Sequence, residues 1–207
     1  MIYLTGSSSQ VTREAQHPRL GLLVAPKPEY RDQIKMYPTF GVDNGMYGLA
    51  SHHQEHTFDT AAYYRWVASI PRTALFVTAP DILHFHDGIP IGDAAATLDT
   101  FPTHTQAIRV LGHKVALVGQ DGLEDHTIPW ELMDALFIGG STPWKLGSAA
   151  LAIVLEAKKR GKLVHMGRVN SYKRLQYAEE IGCDTVDGTY LRFGPRVNFP
   201  KLMRWLA

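Results

Sequence analysis

Cysteine is almost absent from this chain of 207 residues, since Cys183 is the single one. That excludes an intrachain disulfide framework and a zinc site built from several cysteines. No apolar run approaches the roughly 20 residues of a membrane-spanning helix, and the short apolar start lacks the basic residues of a signal peptide, so the expected compartment is the cytoplasm. No glycine-rich loop of the dinucleotide-binding or Walker type occurs, so a nucleotide-phosphate cradle has no support.

Neither sign of charge is in excess overall, with 21 Lys and Arg against 20 Asp and Glu. The charges are unevenly placed, however. Residues 1–157 carry ten basic and 16 acidic side chains, whereas residues 158–207 carry 11 basic and four acidic ones. A local positive field attracts polyanions, but a solvated C-terminal face explains the same numbers. The sequence leaves a polyanion site open without requiring one.

Eight short apolar runs, rich in leucine and β-branched residues, divide the chain. Because they do not alternate with polar residues, they are typical of strands buried on both faces of a parallel sheet. Segments long enough for helices separate most of them, so the pattern predicts an α/β fold, a compact (β/α)8 TIM barrel forming one domain over residues 1–207. A doubly wound open sheet is the alternative. The predicted strands are Ile2–Leu4, Gly21–Val24, Phe40–Asp43, Leu75–Thr78, Val115–Val118, Leu136–Ile138, Leu163–Met166 and Asp184–Val186.

Helix signals lie between these runs. Thr142 is predicted to cap a helix whose first turn holds a proline, and Ser171 is predicted to cap the next one. The helices are expected within Phe58–Ser69, Ile91–Leu111, Pro143–Arg160 and Ser171–Ile181.

Polar residues and glycines follow several of the predicted strands. In a (β/α)8 barrel the carboxyl ends of the strands surround the active site, so we expect Asp43, Asp81 and Asp187 to meet there. One aspartate at a strand end is often a cap or turn former, but three from separate strands favour a shared site. Gly139 and Gly140 follow the sixth run, where the absence of a side chain lets a flat ligand approach the backbone.

Six motifs that carry these residues occur in one order between about Phe40 and Arg192. They are Asp43-Asn44-Gly45-Met46-Tyr47, Thr78-Ala79-Pro80-Asp81, Val118-Gly119-Gln120-Asp121-Gly122, Ile138-Gly139-Gly140, Met166-Gly167-Arg168-Val169, and Gly182-Cys183-Asp184 with Val186-Asp187-Gly188. In content and order they resemble the motifs of the tRNA-guanine transglycosylases and, more closely in size, of their relatives that insert 7-deazaguanines into DNA. Asn44 stands where the family has serine, and Met46 where it has glycine.

The resemblance implies a base exchange at a glycosidic carbon. It makes Asp187 the nucleophile that forms a covalent glycosyl-enzyme, and Asp43 the second carboxylate, which acts as general acid and base or anchors the ligand. Asp81 fits the N1–H and 2-amino donors of a guanine-like base, because a carboxylate accepts from both. The remaining base-binding residues implied are Gln120, Gly139 and Gly140 at the O6 edge, and Tyr47 and Met166 on the two faces, for which ordinary core packing is the alternative.

The resemblance also implies a polynucleotide partner and no cofactor. Phosphate contacts are expected from five cations, although a solvated helix face with ordinary ion pairs is the alternative: Arg168, Lys173, Arg174, Arg192 and Arg196. The zinc subdomain that helps the larger family members hold tRNA needs three cysteines, which are absent here, so DNA is the favoured substrate over tRNA. The incoming base is expected to be a 7-deazaguanine such as preQ0. A phage source and a homodimer both fit the family.

Two other function classes remain. His84 and His86 form a His-x-His pair after the fourth run, which suggests a metal-dependent hydrolase barrel, since alternate residues of an extended segment point the same way. The family with that chemistry places its pair on the first strand, however. A non-catalytic binding barrel is the third class. The three carboxylates expected at the carboxyl ends of the strands argue against it, because a binding scaffold does not require them.

Overall fold

The computed structural model describes residues 1–6, 17–28, 30–37 and 39–207. Eight of its strands are parallel and close into a barrel, in the spatial order β1-β10-β9-β8-β7-β4-β3-β2. Every predicted run overlaps one of them, so the (β/α)8 barrel is confirmed and the open sheet is wrong. The strands are β1 (Ile2–Thr5), β2 (Leu20–Val24), β3 (Phe40–Val42), β4 (Val77–Thr78), β7 (Val115–Gly119), β8 (Ala135–Ile138), β9 (Leu163–Met166) and β10 (Thr185–Gly188).

Helices surround this barrel and complete one compact α/β domain. They are α1 (Tyr30–Ile34), α2 (Met46–Ala50), α3 (Thr60–Val67), α4 (Ala94–Val110), α5 (Thr142–Lys145), α6 (Ser148–Lys159), α7 (Tyr172–Glu180) and α8 (Pro195–Trp205), with short 3-10 turns at Glu55–Thr57, Leu123–Asp125 and Trp130–Leu132. Within the described ranges, none of the helices combines the length and the apolar character that crossing a membrane requires.

The predicted helix over Pro143–Arg160 is corrected to two helices. Gly147 is extended, with φ −93° and ψ 170°, and separates α5 from α6. The cap of α5 is Ser141 and not Thr142, because the Ser141 hydroxyl accepts the Trp144 N–H at 3.3 Å. Ser171 caps α7 as predicted, accepting the N–H of the third helical residue.

Apolar side chains fill the space inside the barrel as well as the layer between the strands and the helices. The inner cluster holds Leu4, Leu23, Phe76, Val118 and Phe137 among its buried members. Two strand glycines make room for this cluster, since a Cβ at residue 21 would lie 2.6 Å from Leu4 and one at residue 41 would lie 2.7 Å from Phe76. These large residues close the barrel below its carboxyl-terminal mouth.

A two-stranded hairpin lies between β4 and α4, outside the barrel. Its strands are β5 (Leu83–His86) and β6 (Ile89–Gly92), which pair antiparallel. Asp87 and Gly88 join them with φ values of 50° and 74°, as a two-residue type I′ turn requires. This hairpin was not predicted from the sequence, although an Asp-Gly pair is a usual signal of such a turn.

Candidate active site

A cavity of about 460 Å³ opens at the carboxyl ends of the barrel strands. Loops after β3, β4, β7, β8 and β9 line it together with β10, and the β5–β6 hairpin covers one side through Leu83, Ile91 and their neighbours. The structure brings eight of the predicted site residues together around this space. They are Asp43, Tyr47, Asp81, Gln120, Gly139, Gly140, Arg168 and Asp187.

The Asp81 carboxylate is held in place by two side-chain amides. Asn44 Nδ2 donates to Oδ1 at 2.9 Å, and Gln120 Nε2 donates to Oδ2 at 2.6 Å. Thr97 in turn donates its hydroxyl to Gln120 Oε1 at 3.1 Å. Burial raises the pKa of Asp81 to about 6, against the lowering effect of these hydrogen bonds. Gln120 therefore orients Asp81 in this structure, and its amide does not point freely towards a base.

The Asp43 carboxylate follows β3, the neighbour of β4 in the barrel. It accepts the Gly45 N–H at 3.3 Å. Burial, followed by the negative charges of Asp81 and Asp187, raises the pKa of Asp43 to about 7. A carboxyl group with this pKa gives up and takes a proton near neutral pH, which is the property that general acid–base catalysis needs.

The Asp187 carboxylate receives two hydrogen bonds on the same oxygen. His165 Nε2 lies 3.0 Å from Oδ1, and the Arg168 backbone N–H donates to Oδ1 at 3.2 Å. Among the described residues no donor is found for Oδ2, so none of them competes with a ligand for that oxygen. The Asp187 side chain is 16% exposed, so the group is accessible from the cavity.

His165 is fully buried beneath Asp187 and was missed as a site residue. Its ring packs 5.1 Å from the Phe76 ring and 4.4 Å from the Phe137 ring, between centroids. Its Nδ1 lies 2.8 Å from the Thr185 hydroxyl. Since an ionised carboxylate only accepts, a neutral His165 carries its proton on Nε2 and accepts from Thr185 on Nδ1. One polar residue in an otherwise apolar strand was the signal available in the sequence.

Arg168 crosses the mouth of the cavity. Its guanidinium donates to the carbonyl oxygens of Gly139 and Gly140 at 2.8 and 2.6 Å and stacks over Tyr47, 4.7 Å from the ring centroid. Its backbone is left-handed, with φ 61°, which is unusual for a residue with a side chain. Arg168 thus contacts three of the predicted base-binding residues with its side chain, and its backbone N–H contacts Asp187. The three residues are Tyr47, Gly139 and Gly140.

The structure does not bring the other predicted residues into the cavity. Met166 is a correction: it is 1% exposed and packs in the layer between strands and helices, because the inward position of β9 belongs to His165. Lys173, Arg192 and Arg196 are exposed outside the cavity. Arg174 is partly buried and lines a small cleft next to it.

The histidine pair considered for a metal lies on the hairpin. His84 and His86 are exposed on β5, while Leu83 of the same strand faces the cavity. Across the described part of the chain, no three His, Cys, Asp or Glu side chains lie close enough together to hold a metal ion. Among the described residues the pair therefore has no third ligand of these types.

A buried lysine is the second feature that sequence reasoning missed. Lys145, the last residue of α5, is 4% exposed, and its ammonium donates to the Gly167 carbonyl oxygen at 2.6 Å. Nearby, the Asp121 carboxylate accepts from the backbone and the hydroxyl of Ser141 at 2.6 and 2.5 Å, which ties the loops after β7 and β8 together. No local pattern marks either contact.

Comparisons with known proteins identify neither a family nor an activity for this chain. No protein-family model matches the chain, and no curated protein is significantly similar to it. Among solved structures, the tryptophan synthase A-subunit of the hyperthermophile Pyrococcus furiosus is similar over 91% of this chain and 86% of that one, with 11% identity and a TM-score of 0.46. A mutant of the same subunit covers the same shares, with 12% identity and a TM-score of 0.44. At these TM-scores the similarity supports no conclusion beyond the strand order already described.

Proposed function

We propose that this protein is a base-exchange transglycosylase that replaces guanine in a polynucleotide, DNA in preference to tRNA, with a 7-deazaguanine. The observation that carries the proposal is the position of Asp187 in a cavity that it shares with Asp43 and Asp81, with one carboxylate oxygen that receives no hydrogen bond from the described residues. The volume of about 460 Å³ falls within the usual range of small-molecule sites, roughly 300–1,000 Å³. The motif order described above supplies the choice of reaction.

The exchange takes two displacement steps at C1′ of the target nucleotide. In the first, Asp187 Oδ2 forms a bond to C1′ as the bond from C1′ to guanine N9 breaks, and Asp43 gives the leaving base a proton. In the second, the incoming base loses its N9 proton to Asp43, N9 bonds to C1′, and the ester bond to Asp187 breaks. At the end Asp43 is protonated again and Asp187 is again a free carboxylate. The net reaction replaces one base with another.

Recognition of the base falls to Asp81. Each carboxylate oxygen has two acceptor positions, and Asn44 and Gln120 use one on each oxygen. The remaining positions accept the N1–H and the 2-amino group of a guanine-like base. The two amides fix the plane in which those donors must lie, so a purine without a 2-amino group loses one of the two contacts.

The polynucleotide is expected to approach over the C-terminal segment. Residues 188–207 carry four basic and no acidic side chains, and Arg192 and Arg196 among them are exposed. Cations in such a cluster contact phosphates. In a duplex the target nucleotide must turn out of the stack to reach the cavity.

Mass spectrometry of nucleosides tests the proposal. The full chain is incubated with DNA or tRNA and 7-cyano-7-deazaguanine, and the digested nucleic acid is searched for the modified nucleoside. We expect it from the wild type and, because the nucleophile is lost, at least a thousandfold less from Asp187→Asn. Asp99→Asn, the same change on the exposed surface of α4, is the matched control. Absence of the nucleoside with DNA, tRNA and every 7-deazaguanine offered would overturn the proposal.

A further inference from the structure

The buried Lys145 is connected to Asp187 through one peptide group. The Lys145 ammonium donates to the Gly167 carbonyl oxygen at 2.6 Å, and the Arg168 N–H donates to Asp187 Oδ1 at 3.2 Å. The Gly167 carbonyl and the Arg168 N–H belong to the same peptide bond. A cation therefore lies at the acceptor end of the peptide whose donor end contacts the carboxylate. Hydrogen bonds in such a chain polarise and strengthen one another.

The peptide needs an anchor, because its orientation depends on an unfavourable backbone conformation. Arg168 has φ 61°, in the left-handed region that side chains disfavour. Were this peptide to turn over, the N–H would leave Asp187 and the carbonyl would face the carboxylate. The hydrogen bond from Lys145 to the Gly167 carbonyl opposes that rotation. The next residue, Val169, is also fixed, because its backbone N–H donates to the Asp187 carbonyl oxygen at 2.5 Å.

Packing alone does not explain a lysine at this place. Among the described carboxylates none forms an ion pair with Lys145, and an ammonium buried without a counter-ion is costly. Burial and the positive charges of Arg168 and Arg174 lower the pKa of Lys145 to about 7, while the charges of Asp187 and Asp121 act in the opposite direction. An uncharged side chain of equal length would fill the space without that cost.

We propose that Lys145 is a positioning residue, which acts through the Gly167–Arg168 peptide to hold the Asp187 carboxylate in its reactive orientation and to stabilise its anionic form. This role rests on the proposed function for its effect on turnover, but not for its effect on the peptide. Stabilising the anion favours the second displacement, in which Asp187 leaves C1′ as a carboxylate. Loss of Lys145 should therefore slow the release of the covalent intermediate and leave polynucleotide binding intact.

Three variants of the full chain separate the contributions. Lys145→Met keeps the length and removes both the charge and the donor, Lys145→Gln keeps a donor without the charge, and Lys145→Arg keeps the charge. Lys114→Met is the matched control, because Lys114 is exposed just before β7, at the amino-terminal end of that strand and away from the mouth of the barrel. The first measurement is hydrogen exchange of the Arg168 amide by nuclear magnetic resonance, which needs no substrate. We expect exchange at least tenfold faster in Lys145→Met and unchanged in the control.

The second measurement combines turnover with thermal stability. Both are measured at pH 6, below the pKa of about 7 of Lys145, where the side chain is charged. Lys145→Met is expected to lower kcat at least tenfold, with KM for the oligonucleotide within twofold, and Lys145→Arg is expected to restore part of the loss. Lys145→Met is also expected to unfold at or above the wild-type temperature. A residue with only a structural role would lower the unfolding temperature together with kcat. Lys114→Met is expected to keep the wild-type kcat.

An Arg168 amide that exchanges at the wild-type rate in Lys145→Met would overturn the inference, and so would a loss of activity that only follows a loss of stability. If Lys145→Met does not fold, the same comparison is made with Lys145→Gln, for which a wild-type kcat would overturn the role of the charge. If the wild type exchanges no base, the proposed function fails while the amide measurement still decides whether Lys145 orients the peptide.

Discussion

Replacing Asp43 by asparagine should make the protein more stable, and the gain should depend on pH. Burial and the charge of Asp81 raise the pKa of Asp43 from 3.8 to about 7. Between these values the folded protein binds a proton that the unfolded chain does not bind, so the stability of the wild type falls as pH rises. Asparagine carries no charge, so the stability of the variant does not fall with pH for this reason.

The pKa difference of about 3 pH units sets the magnitude. At about 1.4 kcal/mol for each unit, the upper limit is about 4 kcal/mol. Asp43 is only partly buried and water screens an ionised carboxylate at the cavity wall, so we expect about 2 kcal/mol in favour of Asp43→Asn at pH 8. In a domain of this size that is a rise of roughly 4–8 °C in unfolding temperature.

Urea unfolding followed by circular dichroism from pH 4 to pH 8.5 measures this gain. The free energy of unfolding of Asp43→Asn minus that of the wild type should be near zero at pH 4, rise through pH 5–7 and level off above pH 7. Asp99→Asn, an exposed aspartate changed in the same way, should give a difference that is flat with pH. A flat difference for Asp43→Asn as well would refute the burial of Asp43 beside the other carboxylates, from which its raised pKa follows.

Two further variants test the supports of the site. His165→Leu removes one of the two donors to Asp187 Oδ1 and should lower the base-exchange rate at least tenfold, measured as modified nucleoside per unit time, while His165→Gln, which can still donate, should lose less. Gly92→Ala places a Cβ against the Gln120 side chain, so Gln120 must leave Asp81; we expect about tenfold weaker binding of the free base by calorimetry and a loss of about 1–2 kcal/mol of stability. An unchanged affinity in Gly92→Ala would contradict the support that Gln120 gives to Asp81.

The barrel could be predicted because its strands are short apolar runs buried on both faces, a pattern that depends little on tertiary context. The hairpin was not predicted because β5 alternates apolar residues with the exposed His84 and His86, and so lacks the continuous apolar run that marks the barrel strands. Met166 was assigned to the wrong side of its strand. Residues of a strand alternate between its two faces, and His165 at the preceding position takes the inward one.

The supports of the three carboxylates could not be read from the sequence. Asn44 and Gln120 come together on Asp81 only because the ends of β3 and β7 flank that of β4 in the closed barrel. Lys145 ends a four-residue helix, where a lysine is ordinarily solvated, and its burial follows from the turn after β9 that packs over it. Such contacts arise from the order of strands around the barrel and leave no trace in local spacing.

The covalent attachment of Asp187 to the polynucleotide tests the central claim most directly. The wild-type protein is incubated with a guanine-containing oligonucleotide in the absence of free base, denatured, digested with protease and nuclease, and its peptides are sequenced by mass spectrometry. The account predicts a peptide that contains Asp187 and carries a sugar phosphate without its base, and predicts that this peptide disappears when a 7-deazaguanine is added before denaturation. A sugar adduct on any other residue, or none while base exchange proceeds, would contradict it.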